Sequence, residues 1–215
     1  LGDVYKRQGF VRAANGWICY LPIPWNAETG NTELTVTADG YTETLTLSVR
    51  AASYSYKDYS AKSQLTSPYI GADDAPDAVR RLLTTDGGEI QWATGGFVQP
   101  FLDSFDTPLL YGMTEYVGRS YSERSTNYGY GGRTSTNVVI KPKKSKDSMI
   151  VPASGHVLLA EGLGGSYGYT VVIDHGAGLR SIFYGLTALD VEAGDDVKQG
   201  QLLGTCLLYT SPSPR

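Results

Sequence analysis

Alternation of apolar and polar residues marks short strands in the first fifty residues. The sequences Leu-Thr-Val-Thr-Ala at residues 34–38 and Leu-Thr-Leu-Ser-Val at residues 45–49 alternate in this way, and an Asp-Gly pair lies between them at residues 39–40. Two such runs around an Asp-Gly turn predict a β-hairpin. An apolar run at residues 17–24, with prolines that suit a sheet edge, predicts another strand. We therefore expect residues 9–50 to form a small β-sandwich-like domain.

The pattern changes between residues 51 and 108, which are predicted to be a linker. Val79, Leu82 and Leu83 share one face at helical spacing and follow Pro76, so a short helix is expected here. Four aromatic residues follow the predicted helix. We expect them to pack the linker against a domain rather than to bind a ligand. They are Trp92, Phe97, Phe101 and Phe105.

Strand patterns return in residues 109–205. The run Tyr-Thr-Val-Val-Ile-Asp-His at residues 169–175 is nearly continuous in β-branched and apolar side chains, as in a strand buried on both faces. Apolar runs on either side of it are separated by Gly-rich turns. This part of the chain is predicted to be an antiparallel, hairpin-rich domain, which makes the whole chain all-β.

Charge and cysteine content narrow the function. The net charge of −4 and the pI of 5.2 argue against nucleic acid as a partner. Four lysines fall within residues 141–148, but Asp147 among them favours a solvated loop. Two cysteines are too few for a metal site built on thiolates. The sequence contains neither an apolar run long enough for a membrane-spanning helix nor a signal-peptide pattern. Membrane anchoring stays open.

Both ends of the chain differ in character from the rest. Residues 1–8 and 206–215 resemble translated adapter sequence of the kind found at the edges of metagenomic reading frames. We expect these ends, Cys206 included, to be non-native, and exclude them from the predicted fold.

Three ordered motifs carry a family resemblance. They are Val-Pro-Ala-Ser-Gly at residues 151–155, Val-Val-Ile-Asp-His-Gly at residues 171–176 with Gly178 and Leu179 after it, and Val-x-x-Gly-Asp-x-Val-x-x-Gly-Gln-x-Leu-Gly at residues 191–204. Together they resemble the lysostaphin-type (LytM) zinc metalloendopeptidases. The resemblance implies an antiparallel β-sheet domain over residues 109–205, truncated at its carboxy-terminal end. The strands before it are similar to the β-rich domain that often precedes these peptidases.

Active members of that family hold zinc with an early His-x-x-x-Asp motif and a late His-x-His motif, and a Tyr-x-His-Leu motif assists catalysis. The resemblance places the early ligands near Thr136 and Ile140, and the assisting histidine at Gly185. The late motif would lie beyond Gly204. Neither an isoleucine nor a glycine can donate to zinc or move a proton. The resemblance therefore implies a degenerate member with no catalytic residue, no metal ligand and no cofactor.

Some polar positions remain for other roles. By resemblance, Asp174 and His175 form a structural turn, and His156 falls at a variable position that we expect on a strand surface. Tyr184 and Tyr167 are the candidate walls of a groove that binds peptide.

Several functions follow from the resemblance. The first is a non-catalytic domain of the bacterial cell envelope, outside the cytoplasm, which binds peptidoglycan stem peptides or regulates a cell-wall hydrolase. The second is an active zinc metalloendopeptidase that cuts peptidoglycan cross-links, with zinc as its cofactor. The third is a structural spacer. The motif at residues 191–204 also resembles biotinyl and lipoyl carrier domains, but a carrier needs a displayed Met-Lys pair that the sequence lacks.

Overall fold

The computed structural model describes residues 10–13, 15–59, 75–85, 92, 95–117, 133–143 and 147–206. The chain divides into two compact units. Unit 1 comprises residues 1–21, 66–108 and 139–215, and unit 2 comprises residues 22–65 and 109–138. These units interleave along the chain, whereas the sequence analysis divides it into consecutive segments. The boundaries at residues 50 and 108 stay a prediction.

The described residues contain one α-helix, α1 (Asp77–Thr84), and a 3₁₀ turn at Gly165–Tyr167. All other regular elements described are strands, so the predicted all-β class is confirmed. The strands are β1 (Val11–Ala13), β2 (Gly16–Ile18), β3 (Gly30–Ala38), β4 (Tyr41–Val49), β5 (Tyr56–Tyr59), β6 (Phe105–Leu109), β7 (Thr114–Val117), β8 (Arg133–Thr134), β9 (Val139–Pro142), β10 (Asp147–Ile150), β11 (Gly155–Gly164), β12 (Gly168–Asp174), β13 (Arg180–Leu189), β14 (Asp196–Val197) and β15 (Leu202–Cys206).

Unit 1 is built around a six-stranded antiparallel sheet with the order β10-β15-β13-β12-β11-β14. Its central strand β12 is the β-branched run, and successive side chains of that run point to opposite faces. Val171 and Ile173 enter one buried cluster, with Phe101, Met149 and Leu203 among its members. We call this side the core face. Both faces of β12 are buried, as its sequence predicts.

The opposite side of the sheet, here named the helix face, carries α1. Val172 lies here in a smaller cluster with Ala75, Val79 and Leu159. Val79 is fully buried and Leu82 packs beside it, as the helical spacing predicts, but Leu83 is 42% exposed. Placing Leu83 on the packed side was therefore wrong, because the face that meets the sheet is narrower than expected.

In unit 2, β3 and β4 form the predicted hairpin, with Leu34 opposite Leu45 and a turn at Asp39 and Gly40. Both turn residues have positive φ (48° and 81°), which Asp and Gly tolerate better than other residues. In unit 1, β2 covers only the start of the strand predicted at residues 17–24, because it ends at Ile18. Strands β3 and β4 make a two-stranded sheet, and β5, β7 and β8 make a three-stranded one. The sandwich-like arrangement of residues 9–50 stays a prediction.

Two expectations near the sheet edge change. Asp147 does not lie in a solvated loop: it begins β10 and is 7% exposed. Cys206, assigned above to a non-native end, closes β15 directly opposite Asp147. Among the described residues, no helix is long and apolar enough to cross a membrane.

Candidate functional site

The resemblance places the aspartate ligand near Ile140, which lies on β9. Its side chain is partly buried and packs against the core-face cluster, so it contributes to the core of unit 1. Thr136, aligned with the histidine ligand, is exposed and carries only a hydroxyl group. A hydrocarbon side chain has no lone pair to donate to zinc, and a neutral hydroxyl is a poor ligand for it.

Gly185, aligned with the assisting histidine, lies on β13 where the pairing with β12 shifts register between Tyr169 and Val171. Its φ of +79° is a conformation that side-chain-bearing residues rarely adopt. A Cβ atom added here would have nothing within 4 Å. The space for a side chain exists, but the backbone has the conformation of a glycine.

The described residues do not provide the ligand set of a catalytic zinc. Among them, no group of three His, Cys, Asp or Glu side chains is arranged so that it could hold a metal ion. A catalytic zinc requires about three protein ligands with one position left open. Ile140, near which the resemblance places the carboxylate ligand, packs against the core-face cluster.

The Asp-His-Gly turn after β12 is buried and hydrogen-bonded within the protein. Asp174 Oδ1 accepts a bond from the backbone N–H of Gly176 at 2.9 Å. His175 is 1% exposed, and its Nδ1 lies 2.8 Å from the carbonyl oxygen of Ser154. Because a carbonyl only accepts, Nδ1 carries the proton, and in the neutral ring Nε2 accepts from Ser181 Oγ at 2.8 Å.

Packing around His175 fixes the ring further. Phe97 meets it edge-on, with ring centroids 5.0 Å apart. A Cβ on Gly155 would lie 2.6 Å from the carbonyl oxygen of Asp174 and 3.0 Å from Nδ1 of His175, so this turn requires a glycine. Burial lowers the pKa of His175, although the Ser154 hydrogen bond and the charge of Asp174 oppose the shift. Both ring nitrogens are used inside the protein, which suits a structural role.

Tyr167 and Tyr184, the candidate groove residues, lie together with ring centroids 5.8 Å apart. Tyr184 packs against the helix-face cluster, whereas Phe183 and Ile140 pack against the core-face cluster. Burial raises the pKa of Tyr184, and the neighbouring Tyr167 raises it further. The idea that these tyrosines bind peptide stays a prediction, and the surface that it concerns is the helix face.

A third group was missed in the sequence. His156, expected simply on a strand surface, has its Nδ1 2.7 Å from Asp196 Oδ1 and its ring stacked on Trp92, with centroids 6.2 Å apart and planes 21° from parallel. No sequence pattern brings residues 92, 156 and 196 together. The sequence did contain a separate signal for two of these residues. His156 begins a predicted strand, and Trp92 is one of the linker aromatics that are predicted to pack.

The aromatic residues of the predicted linker belong to unit 1 and do pack within it. Trp92 stacks on His156, Phe97 meets His175 edge-on, and Phe101 enters the core-face cluster next to Phe105. Backbone bonds hold the same segment: Val98 donates to the carbonyl of Pro152, and Ile150 donates to that of Pro100.

Comparison with known proteins agrees with this architecture. The sequence profile of Peptidase family M23 matches residues 134–213. A solved structure from Pseudomonas aeruginosa, described as a peptidase M23, is similar with a TM-score of 0.56 at 20% identity, over 91% of this chain and 69% of that one. At that identity the likeness concerns the fold.

Two further solved structures are similar over about half of the chain. One is in the SpoIIQ–SpoIIIAH pore-forming complex, with TM-score 0.41, 25% identity, and coverage of 51% of this chain and 71% of that one. The other is Csd3 from Helicobacter pylori, with TM-score 0.39, 18% identity, and coverage of 54% and 30%. No curated protein matches the sequence.

The curled antiparallel sheet of unit 1 thus defines the class of protein: a β-sheet domain of the type found in M23 peptidases. Residues 134–213 are a Peptidase family M23 domain, so the predicted LytM-type resemblance is confirmed.

Proposed function

We propose that this chain carries a non-catalytic M23 domain that acts at the bacterial cell envelope, outside the cytoplasm. Its role is to bind peptidoglycan stem peptides or a cell-wall hydrolase, without cutting the wall itself. The observation that carries the proposal is the packing of the aliphatic Ile140 against the core-face cluster, near the place where the resemblance puts a carboxylate ligand. Thr136 and Gly185 support it, because neither can replace an imidazole.

The scaffold around these positions is well built, which favours a retained binding role. The β12 strand is buried on both faces. In the turn that follows it, Asp174 Oδ1 and both ring nitrogens of His175 are hydrogen-bonded within the protein. Tyr167 and Tyr184 offer paired aromatic rings on a surface that stem peptides can contact. Tyrosines are frequent contact residues because they bring a large area at a low cost in side-chain entropy.

Two measurements on the purified full chain separate binding from catalysis. Metal content by plasma emission and the turbidity of a cell-wall suspension test catalysis, and we expect no stoichiometric zinc and no clearing. Isothermal titration with a stem peptide and with a purified wall amidase tests binding, and we expect heat of binding with at least one of them. One equivalent of zinc together with clearing would establish an active peptidase instead. Binding to neither ligand would leave a spacer role.

A pair of tyrosine variants tests where the ligand sits. Tyr167→Ala should weaken binding at least about fivefold, since a contact residue at an interface is worth about 1 kcal/mol or more. Tyr169→Ala is the matched control, because Tyr169 is 43% exposed on the neighbouring β12 strand but is not part of the tyrosine pair. Equal weakening by both changes, or by neither, contradicts the placement on the helix face.

A further inference from the structure

Four charged or ionisable residues stand in one row across the end of the six-stranded sheet. Arg180 lies directly opposite Asp174, Asp174 opposite His156, and His156 opposite Asp196. Directly opposed residues of antiparallel strands project to the same side of the sheet, with Cβ atoms about 5 Å apart. His156 therefore has a carboxylate neighbour on each side.

The row lies on the helix face. Arg180 alternates along β13 with Ile182 and Tyr184, both of which pack against the helix-face cluster. The Arg180 guanidinium donates to the backbone carbonyl of Leu82 and, at 2.9 Å, to that of Thr85, at the carboxy-terminal end of α1. A cation at this end of a helix is favourable, because the last carbonyl groups carry partial negative charge.

Trp92 packs on His156, the third residue of the row. Its indole stacks nearly parallel on the imidazole, and its backbone N–H donates to the carbonyl oxygen of His175 at 3.1 Å. The imidazole is thus bounded by an aromatic face and by two carboxylates, Asp196 at 2.7 Å and Asp174 on the adjacent strand. Each of these neighbours favours a positive charge on the ring.

Protonation of His156 completes an alternating charge pattern. With an imidazolium, the row reads positive, negative, positive, negative from Arg180 to Asp196. With a neutral imidazole the row has an unbalanced negative charge, and the stack on Trp92 loses its cation–π component. The side chains of His156 and Asp196 are 38% and 61% exposed, so solvent screens the pair and the effect is modest.

We propose that His156 is a proton-controlled attachment point for Trp92. The attachment is tight when the imidazole is charged and both carboxylates are ionised, and it weakens as the imidazole loses its proton. Histidine is the side chain that most readily gains or loses a proton near neutral pH, so this contact can respond to pH. The residues that face His156 from the neighbouring elements are Asp174, Asp196 and Trp92, with Arg180 next in the row.

The chain is well suited to a direct test, because it contains two histidines and three tryptophans. In a Trp17→Phe/Trp25→Phe background, Trp92 is the remaining indole; both replaced residues are exposed, at 67% and 37%. Trp92 fluorescence is then followed between pH 5 and 8.5. We expect a single-proton transition, with the emission altered on the acid side by the stacked imidazolium.

Variants assign the transition. His156→Gln should abolish it, and Asp196→Asn should reduce its amplitude, because the carboxylate beside the imidazole is removed. Glu161→Gln, which removes an exposed carboxylate further along β11, should leave it unchanged. Histidine carbon-bound proton resonances, measured by NMR on the unsubstituted chain, give a second reading that does not depend on any variant folding. The resonance lost in His156→Gln should titrate together with Trp92.

Three results would overturn the proposal: no Trp92 transition in this range, a transition that survives in His156→Gln, or a His156 resonance that titrates apart from the fluorescence. His175 is the other histidine, and its burial lowers its pKa, so its titration falls on the acid side of that of an ordinary histidine. The test does not involve peptide, zinc or wall material. Its outcome is therefore independent of whether the proposed binding function is correct.

Discussion

The two faces of the six-stranded sheet differ in what they bury. The core face holds a large aliphatic and aromatic cluster that includes Phe101, Ile173 and Leu203, with Ile140 packed against it. The helix face holds a smaller cluster under α1, with two tyrosines and the row of charged residues beside it. The core face mainly buries apolar side chains, whereas the helix face combines a smaller apolar cluster with a row of charged residues.

Under the proposed function, this difference explains how a peptidase-like fold persists without metal chemistry. The resemblance places one zinc ligand near Ile140, where a metal would need polar surroundings, but Ile140 adds to the hydrophobic cluster. Burial of an aliphatic side chain stabilises by roughly 1.5–3 kcal/mol, and no partner has to be supplied for it. The row of charged residues lies on the other side of the sheet.

The largest expected effect comes from the core face. Ile173 is fully buried there, and Ile173→Ala should lower the free energy of unfolding by about 3 kcal/mol, since removal of buried methyl groups leaves a cavity that relaxes only in part. Ile182→Ala, on the helix face where the residue is only partly buried, should cost about 1 kcal/mol. Urea unfolding of both variants measures the difference. Equal losses would mean that the two faces contribute equally and that the comparison is wrong.

Some of these features can be predicted from the sequence and others cannot. Period-two alternation locates the β3–β4 hairpin and its Asp-Gly turn, and the β-branched run locates β12, because both signals are local. The family motifs likewise lie within short stretches. Residue pairs such as His156 and Asp196 are different, since 40 positions separate them and their meeting depends on strand register. The same is true of Arg180, whose partners in α1 are set by how the helix docks.

A smaller effect is expected on restoring a histidine to the position that the family resemblance marks as catalytic. Gly185→His should meet no steric clash, because nothing lies within 4 Å of an added Cβ. Its positive φ should still cost about 1–2 kcal/mol, since side-chain-bearing residues avoid this region. Urea unfolding gives the cost, and plasma emission gives the zinc content.

Because Ile140 would remain a hydrocarbon, Gly185→His alone should bind no stoichiometric zinc. Gly178→His is a useful control: its φ is also positive (+75°) and its Cβ would also have nothing within 4 Å. Similar losses in both variants attribute the cost to backbone conformation. One equivalent of zinc in the Gly185 variant alone would show that further ligands stand nearby, contrary to the packing described for Ile140.

The smallest effect separates the two histidines, which lie on opposite faces. Burial lowers the folded-state pKa of His175 below the unfolded value near 6.5, so the unfolded chain takes up the proton more readily. The stability from neutral His175 is therefore fully present above about pH 6.5 and is lost as the pH falls through the folded-state pKa. His156 has different surroundings, since its side chain is 38% exposed, its Nδ1 lies 2.7 Å from Asp196 Oδ1 and its ring stacks on Trp92.

The variant His156→Gln leaves His175 as the single histidine of the chain. Its urea midpoint should stay level from pH 7.5 to about pH 6.5 and then fall toward pH 5, a range in which carboxylates of ordinary pKa stay largely ionised. A midpoint in His156→Gln that is constant or rises toward pH 5 would contradict the buried, neutral state of His175. The two faces would then no longer differ in their response to protons.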